Sequence, residues 1–218
     1  MAVVTLSASF ASGGSIVGPL VAEALGVPFL DRAIPVAVAE ALAIPTSDAL
    51  ARDERRPGGF GRALASLARG AAAPETFAAA PSTTIPVATA DQPDSVFREQ
   101  TERVINEVAQ TSGGVFLGRG GAIVLRDHPT ALHVRLDGPP EARVARATDF
   151  EGASESTARK RMAQTDRARE AYVKYFYKVD ARDPALYHLV LDSTALPMET
   201  CVELVVLAAR AREASATG

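Results

Sequence analysis

Residues 3–25 constrain the fold more than any other stretch of this 218-residue chain. Val3-Val4-Thr5-Leu6-Ser7 is a short run of strand formers, with the length and apolarity of a buried parallel strand. Ala8-Ser9-Phe10-Ala11-Ser12-Gly13-Gly14-Ser15 follows as a small-residue loop. Ile16, Leu20, Val21 and Ala24 then recur at helical spacing, with Ser12 or Ser15 as the cap, and Gly26 closes the pattern as glycine does just past a helix. A strand that enters a helix through such a turn aims loop amides and the positive end of the helix dipole at one spot, which suits a phosphate. The phosphate-loop formula is G-x-x-x-x-G-K-[ST]. Here Ala8 stands at its first glycine, Gly13 at its second, Gly14 at its lysine and Ser15 at its hydroxyl residue. The loop is present by position and lacks its one charge.

Downstream, strands and helices alternate. Residues 27–30 are extended, and Asp31 either caps the helix that carries Ile34, Val38, Ala41 and Leu42 or, with Arg32, orients a substrate. Asp94 caps a helix through Gln110 with Thr101, Ile105 and Val108 inward. Residues 115–117 form a buried strand that runs straight into Gly118-Arg119-Gly120-Gly121 and a helical turn. Residues 131–136 are a further strand, and Pro139-Pro140 opens a helix, a position proline favours. Residues 154–177 are strongly helical and basic, 187–191 the last strand, and 198–212 the closing helix. Alternation of this kind predicts right-handed crossovers and a mainly parallel sheet with helices on both faces, hence an α/β fold of three layers. Ligands then bind at the carboxyl ends of the strands. The length suits one domain, residues 1–218. Within it, residues 46–93, rich in Ala, Pro and Thr towards their end, are a surface loop or a substrate-covering segment.

Composition removes several classes of function. A net charge of −3 leaves no global case for nucleic-acid binding, so a basic site has to be local. Cys201 is the lone cysteine, which excludes an internal disulfide framework and a cysteine zinc site. His128, His133 and His188 have no metal-ligand spacing and read as structural. No apolar run reaches the roughly 18 residues of a membrane span, so the expectation is a cytoplasmic protein without a membrane partner.

Three groups carry candidate chemistry. The loop amides suit phosphate oxygens, and the Ser15 hydroxyl suits Mg²⁺; the missing lysine is the contact that stabilises charge during transfer. Arg119, between glycines after a strand, either brings its planar fork to an anion or pairs with a surface carboxylate. Arg159-Lys160-Arg161 and Thr165-Asp166-Arg167-Ala168-Arg169 are either a solvated helix face or a cationic lid over phosphates, which places the lid at residues 150–180. Arg143 and Arg146 lie one turn apart on the preceding helix and face the same lid.

With these residues in view, the chain resembles the cytidylate kinase-like family of P-loop nucleoside-monophosphate kinases, over residues 1–45 and 94–212. The likeness rests on Ser12-Gly13-Gly14, Leu25-Gly26-Val27-Pro28-Phe29, Leu30-Asp31-Arg32, Gly118-Arg119-Gly120, Thr165-Asp166-Arg167-Ala168-Arg169 and Leu191-Asp192-Ser193-Thr194, in that order. The resemblance implies a P-loop α/β/α core with a helical lid, ATP and Mg²⁺ as cofactors, and phosphoryl transfer to CMP or dCMP. It implies that Ala11, Ser12, Gly13, Gly14, Ser15 and Ile16 hold the donor. Arg119 then grips the acceptor's phosphate, assisted by Asp31 and Arg32, and Asp166, Arg167 and Arg169 belong to the lid, with Arg169 reaching the transferred group. The segment after Arg32, including residues 46–93, becomes the acceptor arm. Where members often carry Arg-Glu-Tyr-Gly and a basic residue after the paired glycines, this chain has Ala8-Ser9-Phe10-Ala11 and Ser15.

Two alternatives stand beside a kinase whose lid arginines supply the missing charge. One is a nucleotide- or anion-binding regulatory protein with impaired catalysis; the other is a kinase of a non-nucleotide small molecule. The expected partner is a small molecule, a nucleotide first. Val202, Leu204, Val205 and Leu207 on the last helix are either core or a homodimer face.

Overall fold

A computed structural model describes residues 1–31 and 94–216. The chain divides into two compact units, one of residues 1–31 with 105–218 and one of residues 32–104. Arg32, the helix expected after Asp31, and the segment 46–93 all lie outside the described residues.

Among the described residues five strands form one sheet: β1 (Val3–Ala8), β2 (Phe29–Leu30), β3 (Gly114–Leu117), β4 (Leu132–Asp137) and β5 (Leu189–Asp192), in the order β2-β3-β1-β4-β5. All four pairings are parallel, which fits the apolar runs that suggested strands covered on both faces. β1 is central, with Val4 opposite both Val115 of β3 and Leu132 of β4. The helices are α1 (Gly14–Leu25), α2 (Asp94–Thr111), α3 (Gly121–Val124), α4 (Pro140–Glu151), α5 (Glu155–Tyr177) and α6 (Met198–Ser215).

Side chains alternate across a strand, and this sorts the layers. Val4 and Leu6 of β1 pack with Val17 and Val21 of α1 and with Cys201, Val205 and Ala209 of α6 in one core. Thr5 points to the opposite face, where Gly121 at the start of α3 lies against it. Helices therefore cover both faces of the sheet. On α6, Val205 is buried and Val202 half-buried, while Leu204 and Leu207 are exposed, Leu207 by 68%.

Several boundaries follow from local chemistry. Gly26 ends α1 in the left-handed region at φ 67° and donates to the Ala22 and Glu23 carbonyls, the bonds a glycine C-cap makes. Ser154 caps α5 by accepting from the Thr157 amide. The start of α1 differs from expectation. Its N-cap is Gly13 at φ 81° with no side-chain cap, because the Ser12 hydroxyl turns back to the Ser9 carbonyl at 2.8 Å and Ser15 is already in the helix. A left-handed N-cap leaves the first amides of α1 without a side chain in front of them. Among the described residues no helix is long and apolar enough to cross a membrane.

Candidate functional site

The loop between β1 and α1 is held by its carbonyls. Arg169 Nη1 donates to the Ala8 carbonyl at 2.6 Å, Arg143 Nη1 to the Phe10 carbonyl at 3.1 Å, and the Ser193 hydroxyl to the Ser12 carbonyl at 2.7 Å. The Ser9 carbonyl takes the Ser12 amide and hydroxyl, and the Gly13 carbonyl takes the Ile16 and Val17 amides. With the carbonyls of Ala8, Ser9, Phe10, Ser12 and Gly13 engaged by donors of the protein, the amides of Gly13, Gly14 and Ser15 at the α1 N-terminus, which no helical turn satisfies, can meet a ligand. Together with the helix dipole they form an anion cradle.

Gly14 explains the missing lysine. A Cβ there would lie 2.6 Å from the Ala8 Cβ, closer than atoms pack, and 3.1 Å from Leu117 Cδ1, a tight contact. With Ala8 in place of the formula's first glycine, the entry to α1 sits too near β1 to admit any side chain. The residues still fit a donor polyphosphate through backbone groups, and the exposed Ser15 hydroxyl fits Mg²⁺.

Behind the loop runs an alternating chain of charges. Arg135 is buried and donates through Nε and Nη2 to Asp137 Oδ2, at 3.0 and 2.7 Å, and through Nη2 to the Ser9 hydroxyl at 3.1 Å. Burial pushes the Asp137 carboxyl up, but the Arg135 guanidinium, the Ser9 hydroxyl and the Gly138 amide outweigh it and hold it below the usual range. Arg143 lies 3.8 Å from Asp137 Oδ1, reaches the Gly138 carbonyl at 3.0 Å, and pairs with Asp166 Oδ2 at 2.7 Å. The other Asp166 oxygen accepts the Phe10 amide at 2.7 Å. Phe10 itself is buried with Val144, Ala147 and Ala158. The loop is thus pinned to α4 and α5 by a ring and by ion pairs.

Asp166 and Arg169, three apart on α5, share the face that meets the loop. Arg167 is exposed. Packing lowers the Arg169 pKa; Asp166 and Asp31 pull it up, while Arg119 and Arg143 push it down. The residue is exposed, and arginine's basicity keeps it charged. The same couplings locate Asp31 and Arg119 within electrostatic reach of Arg169. Arg119 is half-buried at φ 56°, between Gly118 at 77° and Gly120 at 69°, so the turn after β3 makes three successive left-handed steps. Ala11 and Ile16 flank the cradle, Ala11 at φ 58° and Ile16 exposed. Sequence reasoning did not assign roles to Arg135 and Ser193. They bond the loop from different strands and turns, and only a charge inside an apolar strand, as at Arg135, signals such a role.

A parallel sheet whose central strand feeds a glycine loop and helix, with an arginine-bearing lid helix seated on that loop, defines the α/β fold of the P-loop kinases. Residues 3–195 match the model of the cytidylate kinase-like family, and the chain belongs to it. Among solved structures it is similar to an uncharacterized protein from Eubacterium ventriosum ATCC 27560, with a TM-score of 0.63 and 15% identity over 95% of this chain and 97% of that one. A gluconokinase from Sinorhizobium meliloti 1021 aligns with a TM-score of 0.51 and 15% identity, over 97% and 94% of the two chains. Those likenesses establish the fold. A stretch of 109 residues, half of this chain, is 34% identical to part of a uronate isomerase from Corynebacterium glutamicum, and the match spans 21% of that protein's length.

Proposed function

We propose that the protein transfers the γ-phosphoryl group of ATP to a nucleoside monophosphate, CMP or dCMP first, in the cytoplasm. The observation that carries the reading is the contact of Arg169 with the Ala8 carbonyl at 2.6 Å, which brings a guanidinium to a phosphate loop that has no room for its lysine. Bound ATP and Mg²⁺ supply the phosphoryl group and part of the charge that stabilises its transfer. The amides of Gly13, Gly14 and Ser15 would hold the donor phosphates, and the Ser15 hydroxyl would be a ligand for the metal. Arg169 provides positive charge where negative charge develops, from a lid helix rather than from the loop. Asp166 holds the lid in register with the loop by accepting the Phe10 amide. Arg119, with Asp31, receives the acceptor's phosphate. Arg143 is not the replacement cation, because its guanidinium is committed to Phe10, Gly138 and Asp166.

A second reading draws on the uronate isomerase match. A polypeptide with that name contains a stretch related to half of this chain, and a carboxylated sugar is an anion that an arginine fork also grips.

A coupled assay with ATP and Mg²⁺ against nucleoside monophosphates and sugar acids tests both. Turnover highest with CMP or dCMP supports the first, and turnover confined to sugar acids supports the second. ATP binding by calorimetry without turnover of any acceptor overturns both in favour of a regulatory anion-binding role. In the active case Arg169→Ala lowers kcat by about 10²-fold or more, and Arg119→Ala chiefly raises the acceptor KM. Unchanged kinetics in both variants removes the site.

A further inference from the structure

We propose that Tyr177, the last residue of α5, is a positioning residue that holds the Arg119 turn in its acceptor-binding shape and ties that turn to the phosphate loop through the lid helix. The proposal rests on the reading of Arg119 as the acceptor's arginine. The Tyr177 ring lies over Gly120 so closely that a Cβ on that glycine would come within 2.4 Å of ring carbon Cε2 and 3.0 Å of Cδ2 and Cζ. The phenol oxygen also reaches the Arg119 carbonyl in a long hydrogen bond of 3.4 Å. Both contacts fall on a backbone that needs support. Gly118, Arg119 and Gly120 all have positive φ, and a residue with a Cβ, as Arg119 has, occupies that region only at a cost.

The same helix makes the donor-side contacts. Asp166 and Arg169 touch the loop at Phe10 and Ala8, and Tyr177 touches the acceptor turn two to three helical turns further on. A continuous helix transmits position along its axis, so the loop and the Arg119 turn are referred to one rigid body. Gly120 is glycine for two reasons at once: its φ of 69° and the ring above it.

The test compares Tyr177→Phe, which keeps the ring over Gly120, with Tyr177→Leu, which removes it. Hydrogen exchange is read at the Gly121 amide, which is bonded to the Gly118 carbonyl at 3.0 Å and reports closure of the turn without reference to activity. Tyr177→Leu is expected to speed that exchange about tenfold or more while strand amides keep their protection, with Tyr177→Phe close to the wild type. With CMP as acceptor, Tyr177→Leu raises the CMP KM about tenfold at nearly constant kcat and constant KM for ATP, and Tyr177→Phe restores it. Unchanged Gly121 exchange in Tyr177→Leu overturns the proposal, as does a fall in kcat with no change in the CMP KM. Absence of CMP turnover in the wild type counts against the nucleotide reading alone, and the exchange arm then decides the role of Tyr177 by itself.

Discussion

Arg143 of α4 and Asp166 of α5 meet at 2.7 Å directly behind the phosphate loop, and each also bonds the backbone of Phe10, the arginine to its carbonyl and the aspartate to its amide. One peptide segment of the loop is thereby clamped from both sides by an ion pair with side-chain exposures of 8% and 21%.

That arrangement predicts a large cost for breaking the pair from the arginine side. Arg143→Ala leaves Asp166 and the Phe10 carbonyl in a partly dry site, and destabilisation of about 3 kcal/mol or more is expected. Asp166→Asn keeps an acceptor for the Phe10 amide and costs less. In a double-mutant cycle by urea denaturation, the double variant loses less than the sum of the singles. Strict additivity means that the two groups do not act as a pair.

A second prediction concerns the absent lysine. Gly14→Ala places a Cβ 2.6 Å from that of Ala8, and an alanine Cβ cannot swing aside. Overpacking of about 1–3 kcal/mol follows, seen as a lower Tm, and Ala8→Gly in the same chain relieves most of it. Gly14→Lys alone therefore damages the loop instead of restoring its charge, whereas Ala8→Gly with Gly14→Lys accommodates the lysine. Equal melting of Gly14→Ala with and without Ala8→Gly refutes the clash.

Much of this architecture was legible because its signals are local. The helix expected over residues 14–25 with Gly26 behind it is α1 at Gly14–Leu25, although its buried face is Val17, Gly18, Val21 and Ala22 while Ile16 and Leu20 are exposed, and apolar runs followed by glycine or aspartate place the strands with their loops at one end of the sheet. The N-cap was misassigned to serine because sequence does not say whether a hydroxyl faces forward to the helix or back to Ser9. The clamp was legible only in part: the spacing of Arg143 and Arg146 pointed α4 at the lid helix, but it did not name Asp166 or Phe10 as what Arg143 meets there. Arg135, Asp137, Arg143 and Asp166 come from β4, α4 and α5, and a pairing across elements leaves no periodic trace. Asp166 and Arg169 stood out as part of a basic helical run and of the motif Thr165–Arg169 that the family resemblance supplies, while their contacts with Phe10 and Ala8 depend on where that helix lies.

A third prediction follows from His133, which is 3% exposed and stacked on His188 with ring centroids 4.8 Å apart. Burial, then the charges of His188, Arg212 and His128, lower its pKa to about 4, against about 6.5 in an unfolded chain. The unfolded state therefore takes up a proton first as pH falls. The stability tied to a neutral His133 is complete above pH 6.5 and is lost progressively down to about pH 4, by up to about 3 kcal/mol. Urea denaturation across that range shows the slope in the wild type. A His133→Gln chain, which has nothing to protonate there, shows a shallower one, and identical slopes assign the effect to other groups.

The last prediction separates backbone strain from side-chain loss at Ala11. This residue holds φ 58° in the phosphate loop, where a Cβ costs about 1–2 kcal/mol. Ala11→Gly removes that cost. Against it stand the greater freedom of glycine in the unfolded chain, about 0.5–1 kcal/mol, and a methyl packed at the edge of the Phe10 cluster. The balance ranges from neutral to a gain of about 1 kcal/mol. The same chemical change at Ala24, exposed on α1, replaces a good helix former and costs about 1 kcal/mol. Thermal unfolding of the two variants is therefore expected to split: Ala11→Gly at or above the wild-type Tm, and Ala24→Gly below it. Because both variants lose one methyl group and gain one glycine, the split isolates the left-handed backbone at Ala11 as its cause. Equal losses at the two positions show that the loop does not hold Ala11 in that conformation in solution.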